Sequence, residues 1–426
     1  MTTNDALIAR RARTIGPYSP LFYDEPLHFV SGQGVWLTEA SGARFLDGYN
    51  NVPHVGHANP RVVQALTEQA ACLNIHTRYL NERVLDYSEQ LLATFAPGLD
   101  RVLYGNSGSE ANELAIRIAR QLTGATGMLV SDYSYHGTTI TLAQLTTGLR
   151  TREPLAPHVR AIRVPDLDSD PRPAELVLAA ALQDVDDAIA ELQEAGFGLA
   201  ASLFDPLFST EGMARVPEGY VAGLVDRVRH AGGLVIADEV QSGFGRTGSH
   251  MWGHAWAGMD PDLVTLGKPM GNGHPMSAVV TSERVLDEFG SRNEFFNTFA
   301  GNPVSAAVGQ AVLDEMAAEQ LMARAERLGT EARSAFDSLA TRHDFVSAAK
   351  GVGMFLGLEF ALDGHPAPEL AKQVVEGVKR RGVLISRIGR HESVLKVRPP
   401  LAFGHAELPA LLGALGEALD EASSTL

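Results

Sequence analysis

An alternation of short apolar runs with helix-periodic segments through the middle of the chain constrains its fold more than any other feature. "RVLYG" precedes "NSGSEANELAIRIARQL", in which Ala111, Leu114, Ala115 and Ile118 follow helical spacing. "GMLVSD" and "LASLFDP" follow as strands. "YVAGLVDRVRHAG" is a helix closed by glycine, and "GLVIADE" and "DLVTLGK" are the next strands. Strands that alternate with helices are joined by crossovers, which set the strands parallel and cover both faces of the sheet. The expected core is a mostly parallel sheet, and in such sheets ligands sit beyond the carboxyl ends of the strands.

The flanking segments have another rhythm. "LHFVSGQGVWLTEASGARFLDG" reads as short strands joined at Gly32, Gly34 and Ser41-Gly42. Residues 60 to 95 read as helical, with Val63, Leu66 and Ala70 on one face and Leu85, Ser88 and Leu92 on another. A long helix is expected from Pro303 to Leu339, followed by shorter strand-helix units. The expected division is a large domain of residues 56–310 and a small α+β domain of residues 311–426, joined by the N-terminal segment 1–55.

A formal net charge of −16 argues against nucleic-acid partners and anionic membrane surfaces, though a basic pocket can sit inside an acidic surface. The single cysteine, Cys72, permits no internal disulfide and fits a reducing compartment. The chain has no apolar run long enough for a signal peptide or a membrane span, so a soluble cytoplasmic protein is expected.

Four segments carry candidate chemistry, each at a strand end. In "GNSGSEANE", Ser107, Gly108 and Ser109 leave backbone N–H groups free at a helix start, where an anion is welcome. The same serines would cap any helix. In "YSYHG", Tyr135 and His136 can support a flat ring, or simply pack in the core. Asp238 ends an apolar strand, where a carboxylate needs a cation or strong donors, and Gln241 follows three residues on. Lys268 ends the next strand inside "TLGKPMGNGHP". A lysine with its pKa lowered by burial can act as nucleophile and proton carrier, whereas most turn lysines are only solvated. Together these are the parts that hold pyridoxal phosphate: a cup for the phosphate, an aromatic cover, an acid for the ring nitrogen and an amine for the aldehyde.

On these residues the sequence resembles the class III, fold type I, pyridoxal-phosphate aminotransferases. "NSGSEANELAIRIAR", "YHG", "ADEVQSGFGRTG", "GKPMGNGHP" and "FNTFAGNP" occur in the family's order. The resemblance implies a seven-stranded, mostly parallel sheet in the large domain. It implies Lys268 as the Schiff-base lysine, Asp238 as partner of the pyridine nitrogen and Gln241 as partner of the ring hydroxyl. Ser107, Gly108 and Ser109 match the phosphate cup, and Tyr135 and His136 the ring-stacking motif. Thr298 matches a threonine that reaches the cofactor phosphate of a neighbouring subunit, which implies a homodimer with shared sites, with a tetramer left open. No metal is expected.

"NNVPHVGHANPRVVQAL", "LNIHTRYL" and "LGKPMGNGHP" are similar to the ethanolamine-phosphate phospho-lyases within that family. That likeness assigns Arg78 to the substrate, and a guanidinium suits a phosphate leaving group. Tyr18 and Arg398 are also expected at the substrate, Lys396 and Arg398 standing where many members carry an arginine that holds a substrate carboxylate. "DPLFSTEG" and "VLKVRPPL" depart from the aminotransferase pattern. Thr210, rather than Glu211, falls where many aminotransferases carry a glutamate. The expected activity is elimination of phosphate from O-phosphoethanolamine. Amino transfer from an amine or ω-amino acid to pyruvate or glyoxylate is the alternative. A cofactor-binding regulator would need a basic DNA-binding segment, and a nicotinamide dehydrogenase a G-x-G-x-x-G turn; the sequence has neither.

Overall fold

The structure is a computed structural model that describes residues 4–149 and 151–426. Its centre is a seven-stranded sheet of β1 (Arg101–Gly105), β2 (Met128–Ser131), β3 (Val159–Ile162), β4 (Ala201–Phe204), β5 (Leu234–Asp238), β6 (Leu263–Leu266) and β7 (Ser277–Thr281). The spatial order is β1-β7-β6-β5-β4-β2-β3. Only β7 runs antiparallel to its neighbours β1 and β6; every other pairing is parallel.

Alternate residues of these strands enter two cores. Leu129, Phe204, Val235 and Val264 pack on one face, and Val130, Leu203, Ile236 and Val279 on the other. Both faces are covered, so β2, β4, β6 and β7 are buried at every position. The helix Gly108–Thr123 after β1 buries the expected Ala111, Leu114, Ala115 and Ile118.

Two smaller sheets flank this core. Phe29–Gln33, Trp36–Glu39 and Arg44–Asp47 form an antiparallel meander that Val383–Leu384 extends in parallel. Val346–Val352, Phe355–Leu362, Val394–Lys396 and Ser386–Ile388 form the other. Arg246 ties the second sheet to the centre. Its fully buried Nη1 donates to the Met354 and Pro399 carbonyls at 3.1 and 2.5 Å.

Two helical expectations are corrected. The expected helix from Pro303 to Leu339 is two helices, Pro303–Ala318 and Leu321–Arg342, separated where Gln320 takes a left-handed φ of 48°. The break lets the first pack on Pro60–Cys72 and Glu82–Leu92 while the second packs on Val346–Val352. Likewise, residues 60 to 95 are two helices separated by a loop, and their buried residues are Val62, Tyr87 and Leu91. Val63 and Leu85 are exposed, each more than half. Among the described residues no helix is long and apolar enough to cross a membrane.

Candidate active site

Five strand ends converge on one cavity of about 290 Å³, which contains Ser107, Gly108, Ser109, Tyr135, His136, Asp238, Gln241 and Lys268 in its wall. The cup begins where β1 gives way to a helix. Ser107 caps that helix, its side-chain oxygen accepting from Glu110 N at 3.2 Å, while the Glu110 carboxylate accepts from Asn106 N at 3.0 Å. The capping role therefore holds, and the turn still presents its backbone at the cavity. Gly108 approaches the Val240 side chain so closely that a Cβ would lie 3.1 Å from it. Ser109 Oγ accepts from Thr138 N at 3.1 Å, which ties the cup to the loop carrying Tyr135 and His136.

Asp238 is buried and meets three donors. Asn112 Nδ2 and His136 Nδ1 lie 2.9 and 2.7 Å from Oδ2, and Val240 N donates to Oδ1 at 3.1 Å. Thr265 Oγ1 donates to Asn112 Oδ1 at 2.6 Å, so the Asn112 amide is held with its NH₂ toward Asp238 and the His136 carbonyl. The Asp238 side chain is thereby held in place at the end of β5, in the cavity wall.

Lys268 opens the tight turn that follows β6. Asn272, in a left-handed conformation, anchors that turn: its Oδ1 accepts from Val55 N and its Nδ2 donates to Gly56 O, both at 2.9 Å. Burial lowers the Lys268 pKa, the Arg398 charge adds to the effect, and Asp238 and Asp205 oppose it. The amine thus loses its proton more readily than a surface lysine. Behind the cavity wall, Lys396 Nζ donates to Gln241 Oε1 at 3.3 Å and Arg398 Nη1 donates to the same oxygen. With Oε1 occupied by two donors, Gln241 has its NH₂ left to donate to a ring oxygen.

Two acids join this set that the motifs alone did not single out. Asp205, at the end of β4, lines the cavity and accepts from Leu207 N at 3.0 Å. Burial pushes its pKa up to about 6, helped by the Asp238 charge. Glu211, hydrogen-bonded by Ser131 Oγ, is pushed up to about 7 by burial and by the Asp205 charge. Between its ordinary 4.5 and about 7 the folded protein holds a proton on Glu211 that the unfolded chain releases. Stability from that proton is complete below pH 4.5 and is lost as pH rises through about 7. Cofactor-free Glu211→Gln is therefore expected to be more stable than wild type at alkaline pH by about 1–3 kcal/mol, with a flatter stability profile across that window. Thermal melts from acid to alkaline pH check this; parallel profiles for the two proteins would mean that the carboxyl is hydrated.

Three expected site residues lie outside the cavity of their own chain. Arg78 is exposed, its guanidinium 3.9 Å above the Phe296 ring. Tyr18 is 93% exposed, and Thr298 is exposed as well. Leu80 and Phe299 beside them are 98% and 72% exposed. Arg398 is buried and acts on the cavity through Gln241.

This donor set fits pyridoxal phosphate: a backbone cup for the phosphate, a fixed carboxylate for a pyridinium nitrogen, an amide donor for a ring oxygen and an amine for the aldehyde. The cup also demands small residues. A Cβ on Gly137, at φ 146°, would lie 2.5 Å from Ser109 Oγ.

The sequence model of the family described as aminotransferase class-III matches residues 22–419. Ethanolamine-phosphate phospho-lyase homolog 1 of Caenorhabditis elegans is 34% identical over 98% of this chain and 94% of its own length. The mitochondrial alanine–glyoxylate aminotransferase 2 of Homo sapiens is 29% identical over 92% of this chain and 82% of its own. A phospholyase from Arthrobacter, solved in complex with phosphoethanolamine, superposes with a TM-score of 0.96 at 57% identity, covering 97% of this chain and 99% of that one.

Proposed function

The chain belongs to the class III aminotransferase family, and on that premise we propose that it is a pyridoxal-phosphate-dependent phospho-lyase. Its reaction converts O-phosphoethanolamine to acetaldehyde, ammonia and inorganic phosphate. The observation that carries this reading is the 57% identity, over 97% of the chain, to a phospholyase solved with phosphoethanolamine.

Bound pyridoxal phosphate supplies an electron sink for the carbon that bears the substrate amine. Asp238 keeps a negative charge at the ring-nitrogen end of the cavity, and Gln241 offers an N–H at the ring-oxygen end. Lys268, with its pKa lowered by burial and by Arg398, takes the proton from the carbon bearing nitrogen. The adjacent carbon–oxygen bond then breaks and phosphate leaves. The remaining two-carbon amine reacts with water to give acetaldehyde and ammonia.

The same reading gives Arg78, Tyr18 and Thr298 a place. All three are exposed, as are Leu80 and Phe299, and we assign them to a homodimer interface at which the sites are shared. Arg78 there contacts the substrate phosphate. Arg78→Ala is expected to weaken phosphorylated-substrate binding by about 2–5 kcal/mol, the cost of removing a buried charged contact. Steady-state KM for phosphoethanolamine reads this, and an unchanged KM removes Arg78 from the site. We place the protein in the cytoplasm and keep the division into residues 1–55, 56–310 and 311–426.

Amino transfer is the second reading, favoured by the likeness to alanine–glyoxylate aminotransferase. One paired assay separates them. Phosphate and acetaldehyde released in equal amounts, with no alanine formed from pyruvate, establishes the lyase. Alanine without phosphate release makes the protein an aminotransferase.

A further inference from the structure

His274 lines the cavity near Lys268, and neither the motifs nor the reading above gives it a role. Its position follows from the sheet. β7 pairs antiparallel with β1, and Ser277 stands opposite Gly105. His274 and the Ser107–Ser109 cup line the same cavity.

A hydrogen-bond relay ends at one ring nitrogen of His274. Asn302 Oδ1 accepts from Ser305 N at 2.9 Å, and Asn302 Nδ2 donates to the Phe299 carbonyl at 2.6 Å. The amide is thus oriented, and the same Nδ2 donates to Ser305 Oγ at 2.9 Å. The Ser305 hydroxyl keeps its own hydrogen for His274 Nε2, 2.8 Å away. With the hydroxyl donating, Nε2 accepts and Nδ1 carries the proton of the neutral ring. Burial lowers the His274 pKa, which holds the ring in that neutral form. The opposite tautomer would leave the serine hydrogen without this acceptor, at a cost the relay avoids.

We propose that His274 Nδ1–H is a hydrogen-bond donor to a phosphate monoester at the cup end of the cavity. This rests on the pyridoxal-phosphate phospho-lyase reading, which brings two such esters to the site. The cup in the same cavity wall makes the cofactor's own phosphate the first candidate, ahead of the substrate's. Ser305 and Asn302 act as positioning residues, since they set the tautomer without touching the anion.

The test uses His274→Phe, which keeps a flat ring and removes the donor, and His274→Asn, whose side-chain NH₂ can replace it. Cofactor-free full-length protein is titrated with pyridoxal phosphate and, separately, with pyridoxal, and binding is followed by equilibrium dialysis. His274→Phe is expected to lose roughly 10- to 100-fold in affinity for pyridoxal phosphate, as for a hydrogen bond to a charged acceptor, with pyridoxal unaffected. His274→Asn is expected to recover part of that loss. Ser305→Ala is expected to fall between wild type and His274→Phe. A loss confined to the KM for phosphoethanolamine in the loaded enzyme, with kcat retained, would assign the donor to the substrate's phosphate instead. Unchanged affinity for both esters overturns the proposal. The dialysis needs no substrate, so wild type that releases no phosphate defeats the lyase reading while the titration still judges His274.

Discussion

Lys268→Ala is expected to lower phosphate release by on the order of 10⁴-fold or more, because one side chain serves both to hold the cofactor and to move the proton. Among the described residues Lys268 is the one lysine in the cavity wall. The nearest substitute, Lys396, is buried behind Gln241 and donates to it. The fold should survive the change. Lys268 is a half-buried amine whose charge is disfavoured first by burial and then by Arg398, so its removal leaves little stabilising contact behind. Near-ultraviolet circular dichroism should therefore match wild type, while the visible absorbance of the lysine-bound cofactor disappears. Lys268→Arg, which keeps the charge but cannot form the same bond, should be as inactive as the alanine variant. A visible band that persists in Lys268→Ala would sink the assignment.

Asp238→Asn is the second large effect, on the order of 10³-fold in kcat, typical of removing a fixed charge aimed at a transition state. Asparagine keeps the shape and can still accept from Val240 N at the Oδ1 position. What it loses is the negative charge, and its NH₂ faces the His136 Nδ1 that now meets Asp238 at 2.7 Å. Asn112→Ala removes one of three donors and should cost only about tenfold. Phosphate release by Asp238→Asn at more than a tenth of the wild-type rate would mean that the carboxylate serves structure rather than chemistry.

The strand-end chemistry was legible because it depends on local sequence. A run of apolar residues ending in Asp238, or in Lys268, announces a buried strand whose last side chain is polar for a reason. The alternation of strands and helices carried the sheet for the same cause. Longer-range features left no such mark. Nothing in "SAVVT" says that this strand inserts antiparallel between β1 and β6; its pairing partners decide that. The turn at Gln320 carries no glycine or proline, and what imposes it is the demand that two helices pack on different layers. Asn112 was readable in part: a polar residue beside the apolar stripe of a buried helix needs a partner, and it finds Asp238. Asp205 lay within a segment already marked as unusual, yet its place in the cavity wall depends on how β4 aligns with β5. The faces expected on residues 60 to 95 failed at Val63 and Leu85, since periodicity finds an apolar stripe but not what covers it.

The N-terminal meander bears on how the molecule is made. Its strand Arg44–Asp47 pairs with Val383–Leu384, about 340 residues later, and Leu46 N donates to the Gly382 carbonyl at 2.8 Å. A ribosome adding roughly 5–20 residues per second leaves that strand edge unpaired for roughly 20–70 s. Through that interval the nascent chain carries an open β-edge, the kind of surface that recruits other chains. A stop codon between residues 281 and 383 would make the exposure permanent. Such a truncated product is expected to be insoluble even though every strand of the central sheet, and Lys268 itself, would be present.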